Sequence, residues 1–340
     1  MAEITLAANN PDLGGGEQML LRHAEALMSL GHAVTVIAPD APAEVLDAAG
    51  ALGANVVAIR ANRRRDYLFQ LRAWDQSERR GLLWCHGLVP ALATAGRRRR
   101  VVHLHQLPRG RAQWAALAVA RIGADRTLTP SAFLTRQVRG SEVCANWTDA
   151  VAPAPRAEPG HLSVGFMGRL STDKGADLAA QALASPELVA ATLVVAGDGR
   201  WVPDEQRASV AESLERLGDR VRRLGRVSPD VFFAKVDMVV FPSRVAESFG
   251  LVVAEAMAAG VPFVISDAGA LPEVAGPDHP WVTRRGDVDD LARVLAEALG
   301  ATEETRRAAT DAARARWETE YSPAAGRQRV ARLLEQLEVS

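Results

Sequence analysis

The residues best placed to do chemistry in this chain are two acids, Glu247 and Glu255, and two cations, Arg169 and Lys174. Between the acids runs Ser248-Phe249-Gly250, then an Ala-rich apolar stretch that reads as a helix. Glu247 falls in the loop before that helix, and Glu255 a little over one turn inside it. The helix start near Gly250 and Leu251 offers unpaired N–H groups and the positive end of the dipole, so an anion is expected there. Carboxylates on either side accept hydrogen bonds from hydroxyls. A ligand that is both anionic and rich in hydroxyls is a nucleotide sugar. Arg169 and Lys174 lie in Gly168-Arg169-Leu170-Ser171-Thr172-Asp173-Lys174-Gly175, between a strand at Ser163–Met167 and the next helix. Arginine presents a planar fork to phosphate oxygens, and lysine a compact ammonium. Lys174 and Lys235 are the only lysines in a chain whose cations are otherwise arginine, which makes lysine at 174 a minority choice.

These residues need a scaffold, and the chain supplies strand–loop–helix units. Ile4 to Ala8 reads as a strand. It runs into Asn9-Asn10-Pro11-Asp12-Leu13-Gly14-Gly15-Gly16-Glu17, then an amphipathic helix to Gly31 and a strand at Ala33–Ala38. That is one βαβ unit of a parallel sheet. Glycines at a strand's carboxyl end let backbone approach a ligand where open α/β sheets bind one. Further strands are expected at Asn55–Ile59, Leu82–His86 and Val101–His105, with helices at Ala43–Ala49 and Tyr67–Arg80. Alternation puts His103 and His105 on one face; His103 and His86 read as ordinary hydrogen-bonded histidines. Ser131 reads as a helix cap, as does Thr172 or Asp173. Pro153, Pro155, Pro159 and Gly160 break regular structure, and the domain boundary is placed there. The expected domains are 1–153, 160–318, and a last helix in 319–340.

Composition narrows the class. A length of 340 residues and 48% hydrophobic content suit two domains with substantial cores. A net charge of -1 argues against a dedicated nucleic-acid binder. Cys85 and Cys144 are too few and too far apart for a disulfide framework, and no His/Cys/Asp cluster has metal-ligand spacing. The expectation is a cytoplasmic protein without leader or membrane span. The arginine runs at 63–65 and 97–100, with Arg109 and Arg111, read as solvated surface. The alternative is a weak peripheral contact of the first domain with an anionic membrane, or a seat for a phosphorylated acceptor.

Several blocks resemble the retaining GT-B glycosyltransferases of the large bacterial group 1 / family 4 type, mannosyl- and N-acetylglucosaminyltransferases among them. Glu247 to Glu255 is similar to their E-x7-E block, and Gly168, Arg169, Leu170, Lys174 and Gly175 to their G-R-L…K-G block. Gly14, Gly15 and Glu17 match their G-G-x-E loop, and Ala268 to Glu273 a later G-G-x-x-E turn with Ala270 in place of glycine. The resemblance implies an α/β, GT-B fold of two Rossmann-like, doubly wound parallel-sheet domains facing across a cleft. The acceptor would lie mostly on the first domain and the nucleotide sugar on the second. The last helix would cross back to the first domain.

By resemblance, Glu255 meets the ribose, Glu247 the donor sugar, and Ser248, Phe249, Gly250 and Leu251 give donor contacts. Gly14, Gly15 and Gly168 would line the donor site, the backbone at Val227 would meet the base, and His105 would contact the sugar. Arg169 and Lys174 would neutralise the departing diphosphate without a metal, and no cofactor is expected beyond the donor itself. Transfer would retain anomeric configuration. The acceptor, whether small molecule, glycan or lipid-linked, and the oligomeric state stay open. A nucleotide-sugar epimerase, a glycoside phosphorylase and a catalytically silent nucleotide-sugar-binding module are the alternatives.

Overall fold

In a computed structural model of the protein, residues 1–152 and 162–339 are described. The chain divides into two compact units. One comprises Met1–Asn146 with Pro323–Ser340, the other Trp147–Ser322. The proline-rich stretch at 153–160 lies outside the described residues.

The first unit holds a seven-stranded sheet. Its strands are β1 (Glu3–Ala7), β2 (Ala33–Pro39), β3 (Asn55–Ile59), β4 (Leu82–His86), β5 (Arg100–His103), β6 (Arg126–Thr129) and β7 (Glu142–Val143). They lie in the order β3-β2-β1-β4-β5-β6-β7, and every pairing is parallel. All five residues of β4 are buried, as expected for a central parallel strand covered on both faces. The helix Gly15–Ser29 buries Met19, Leu20, His23, Ala24 and Leu27 on one stripe. The last helix, Pro323–Gln336, packs against it within this unit.

The second unit repeats the plan with β8 (Leu162–Met167), β9 (Ala191–Ala196), β10 (Val221–Gly225), β11 (Met238–Phe241), β12 (Phe263–Ser266) and β13 (Val282–Thr283). The order is β10-β9-β8-β11-β12-β13, again all parallel. In both sheets the winding reverses beside the first strand, between β1 and β4 and between β8 and β11. At such a switch point the loops leave in opposite directions and open a crevice at the strands' carboxyl ends. Val164, Leu193, Val195, Val240 and Val264 form much of the core with Leu178, Leu183 and Leu295 from covering helices.

Several local expectations shift. The helix expected at Tyr67–Arg80 runs Arg64–Ser77. The strand expected to reach His105 ends at His103, and His105 sits in the bend after it. Arg100, read as part of a solvated arginine run, is fully buried. Its guanidinium donates to the carbonyls of Arg97, Ala91, Ala120 and Ile122 and to Thr94 Oγ1, so it ties neighbouring turns together. Arg97 and Arg79 both pair with the buried carboxylate of Asp75. Ser131 does cap its helix, accepting from the Leu134 N–H.

Candidate active site

The second unit's switch point gathers the charged residues. β8 ends at Met167, and Gly168 follows with φ +153. A Cβ on neighbouring Gly197 would lie 1.9 Å from the Gly168 carbonyl oxygen, so the backbones leaving β8 and β9 touch. The loop then folds on itself. The Ser171 N–H donates to the Arg169 carbonyl at 2.8 Å, and Ser171 Oγ accepts from the Lys174 N–H at 3.3 Å. The helix begins at Ala176 behind Gly175, which has φ +75 and no side-chain cap. Thr172 and Asp173, expected to cap it, instead offer their carbonyls to Arg244. A Cβ on Gly175 would meet the Pro242 carbonyl oxygen at 2.1 Å, so only glycine lets this loop lie against the end of β11.

Arg244 fixes the arrangement from the other side. Its N–H donates to the Asp173 carbonyl at 2.9 Å, and its guanidinium to the Thr172 carbonyl at 2.7 Å. Both guanidinium nitrogens also reach the buried Asp177 carboxylate, each at 2.7 Å. Lys174 is held between these anchors. Its Nζ lies 2.6 and 2.8 Å from the two carboxylate oxygens of Glu247. Ser243 Oγ donates to Glu247 Oε1 at 2.6 Å. The backbone of Glu247 is pinned in turn: its N–H donates to the Ala268 carbonyl at 3.3 Å and its carbonyl accepts from Ala270 at 2.9 Å. Gly269, at φ +68, passes so close that a Cβ there would lie 2.5 Å from Glu247 N and O. The turn with Ala270 in place of a glycine therefore still positions Glu247.

Burial pushes the Glu247 carboxyl up. The Lys174 ammonium, hydrogen bonds from Lys174 and Ser243, and the Arg169 guanidinium outweigh it and hold the group below its ordinary value. Glu247 is thus an anion with its lone pairs partly engaged, and two cations share its field. The helix Leu251–Ala259 starts behind Gly250, at φ +103, and ends at Gly260, at φ +66. It is buried nearly all round, so its apolar run lacks an amphipathic stripe. Glu255 is buried on it. Phe249 is core: its ring meets Tyr321 edge-to-face with centroids 5.3 Å apart. Ser248 precedes it, and Val227 lies half-buried between β10 and the helix Pro229–Phe233. Ser243, Arg244 and Asp177 were not singled out in the sequence. The only signal there is their closeness to Lys174 and Glu247 in the chain, and the pairing Arg244–Asp177 is tertiary.

In the first unit, Gly14 precedes the helix that starts at Gly15, and the loop before it is held by Glu17. Glu17 Oε1 accepts from the Asn10 N–H at 3.2 Å and Asn10 Nδ2 at 2.9 Å. Burial raises the Glu17 carboxyl above its ordinary value, against the Asn10 hydrogen bonds. A Cβ on Gly16 would stand 3.2 Å from the His105 ring, so the glycine run gives that ring its place.

His105 points inward, with Nε2 3.0 Å from His86 Nδ1. His86, His103 and His105 bring one ring nitrogen each within 4.8 Å of one another, and His23, His103 and Cys144 form a second such group. The sequence spacing showed no cluster of this kind, because its members come from separate elements. Nor are all these histidines ordinary hydrogen-bonded ones: both nitrogens of buried His103 lack a partner. Burial, with the neighbouring imidazoles adding to it for His86 and His103, depresses all three, His105 to about 4.

Known proteins place this architecture. The family model described as Glycosyl transferases group 1 matches residues 161–300, and that of Glycosyltransferase Family 4 matches residues 13–146. Similar curated relatives include the GDP-mannose-dependent monoacylated alpha-(1-6)-phosphatidylinositol monomannoside mannosyltransferase of Corynebacterium glutamicum. It is 33% identical over 45% of this chain and 42% of its own length. The D-inositol 3-phosphate glycosyltransferase of Nocardia farcinica is 29% identical over 64% of this chain and 50% of its own. The matches thus span half the length of these relatives or less. Among solved structures, Anabaena HepE in complex with UDP and glucose superposes with a TM-score of 0.83 at 20% identity, covering 98% of this chain and 100% of that one. Sucrose-phosphate synthase from Thermosynechococcus elongatus gives 0.85 at 17%, covering 99% of each. These likenesses show the fold, which is GT-B. With both family models matching in order and each unit built as a doubly wound parallel sheet, the chain belongs to the group 1 / family 4 glycosyltransferases.

Proposed function

We propose that this protein transfers a glycosyl group from a nucleotide-diphosphate sugar to an acceptor, with retention of anomeric configuration and with no metal needed at the diphosphate. The observation that carries this reading is the Lys174–Glu247 pair, within the field of Arg169, at the switch point of the second sheet. A sugar diphosphate departs with negative charge on its β-phosphate. Arg169, Lys174 and the start of the helix at Leu251 stabilise that charge. Glu247 holds donor hydroxyls, and Glu255 holds the ribose. The anomeric C1–O bond to phosphate breaks, the acceptor oxygen bonds to C1 on the same face, and the acceptor proton passes to the leaving phosphate. Gly168, Val227, Ser248, Phe249, Gly250 and Leu251 contribute backbone around the donor.

The relatives named above include an enzyme described as GDP-mannose-dependent and a protein crystallised with UDP and glucose. A melting-temperature screen against GDP-, UDP-, ADP- and dTDP-sugars therefore tests the donor, because a bound ligand stabilises the fold by mass action. The hit is then incubated alone and with acceptors. Release of nucleoside diphosphate with a new glycoside supports transfer. An epimerised donor formed without acceptor, or no response to any nucleotide sugar, would sink it.

A further inference from the structure

The sheet of the first unit places three imidazoles on one face at the carboxyl ends of β4 and β5. His86 and His103 are direct partners in the parallel register, so their side chains leave the sheet on the same side. His105, two residues on, adds a third ring. The centroids lie 5.2 Å apart for His86–His105, 5.4 Å for His86–His103 and 4.4 Å for His103–His105. His86 and His103 are buried, and His105 is half-buried.

Hydrogen bonding leaves this cluster incomplete. Three neutral imidazoles bring three ring N–H groups, and the His86–His105 contact uses one. The remaining two have no acceptor among the described residues: His103 lacks a partner at both nitrogens, and His86 Nε2 and His105 Nδ1 lack one as well. Buried polar groups are rarely left so, and a cluster of them marks a missing partner. We propose that His86, His103 and His105 bind one divalent transition-metal ion of the zinc class, leaving a fourth coordination position for water or another ligand. One nitrogen from each ring already lies within 4.8 Å of the others. The His86 Nδ1 and His105 Nε2 separation of 3.0 Å is near the roughly 3.3 Å edge of a tetrahedral centre with bonds of about 2.0–2.1 Å. Neutral imidazole is the ligating form, and imidazole triads suit zinc, cobalt and nickel. The neighbouring group His23–His103–Cys144 shares His103 and is the competing triad: His23 Nδ1 meets the Met19 carbonyl at 2.6 Å, which leaves its Nε2 facing Cys144 Sγ at 4.0 Å. A cation on the three imidazoles would clamp the ends of β4 and β5 and the bend after β5. This site is separate from the second unit's charged cluster and does not depend on the transfer reading.

The test is Co2+ binding to the tag-free 340-residue chain after chelator treatment, followed by visible absorption and melting temperature. About one equivalent of Co2+ is expected, with tetrahedral d–d bands, a raised melting temperature and displacement by Zn2+. His103→Phe keeps an aromatic ring in the core; it should lose the bands and the metal-dependent rise while melting no lower than the metal-free wild type. His86→Phe carries the same reading should His103→Phe fail to fold. No band in the wild type, or equal binding by the wild type and both folded variants, would overturn the site. A near-ultraviolet thiolate band that disappears in Cys144→Ser would overturn it in favour of the other triad.

Discussion

Lys174→Met is the sharpest test of the charged cluster, because it removes the ammonium and keeps most of the side chain's length. Lys174 makes two short contacts to Glu247, at 2.6 and 2.8 Å, with its own side chain 29% exposed and that of Glu247 13%. A charge-assisted hydrogen bond contributes roughly 1.5–3 kcal/mol, which at 1.36 kcal/mol per decade corresponds to about 10- to 150-fold in rate. If the ammonium serves the departing diphosphate, kcat should fall by at least that factor, and by about 10² to 10³ where the pocket excludes water. Two effects combine in the variant. The diphosphate loses one cation, and Glu247 loses its main counter-charge, so burial raises its carboxyl toward the neutral form. The assay is nucleoside diphosphate release under saturating donor, with isothermal calorimetry for donor affinity and circular dichroism for folding. A folded Lys174→Met enzyme with wild-type kcat would refute the reasoning, because no other lysine is near in sequence to substitute. A loss confined to donor affinity would move Lys174 from the reaction to simple binding.

Further outcomes follow from the same geometry. Glu255→Gln should weaken nucleoside diphosphate binding by about tenfold, the worth of one hydrogen bond to a charged group, with little change in melting temperature; calorimetry decides. Arg244→Ala leaves the Asp177 carboxylate buried without its partner, and should cost about 3 kcal/mol in denaturant unfolding while lowering kcat by loosening the Lys174 loop. Gly175→Ala forces a positive φ onto a residue with a side chain and drives a Cβ into the Pro242 carbonyl, so a loss of at least about 2 kcal/mol is expected by the same measurement. The Lys174 ammonium and its hydrogen bonds hold the Glu247 carboxyl below its ordinary value despite burial, so its contribution is present above the ordinary carboxylate range and is lost as pH falls through its folded value. The stability gap between wild type and Glu247→Gln should therefore narrow under acid and stay constant near neutrality; a gap unchanged down to pH 3 would count against the pair.

Much of this was legible in the chain itself. The βαβ rhythm, the strands at Asn55–Ile59 and Leu82–His86, and the loops carrying Gly14, Lys174 and Glu247 follow from local patterns that tertiary context reinforced. Strand ends were less legible: β5 stops at His103 because His105 turns beside Gly16. Arg100 is not legible as a core residue, since a run of arginines carries no sign of which one enters the core. Its burial depends on the carbonyls of two separate segments, at Ala91 and at Ala120 and Ile122, converging on it.

The sequence alone determined which chemistry the chain can carry: two cations after one strand and two acids around a glycine-started helix. Residue type and local spacing fix those properties. The fold decided who meets whom. Lys174 and Glu247 come together only because β8 and β11 are neighbours at a reversal of winding. Asp177 and Arg244 hold them there, and the parallel register of β4 and β5 stacks three imidazoles that lie on different elements. Contacts between distant segments depend on strand order and register, and no short stretch of sequence encodes either.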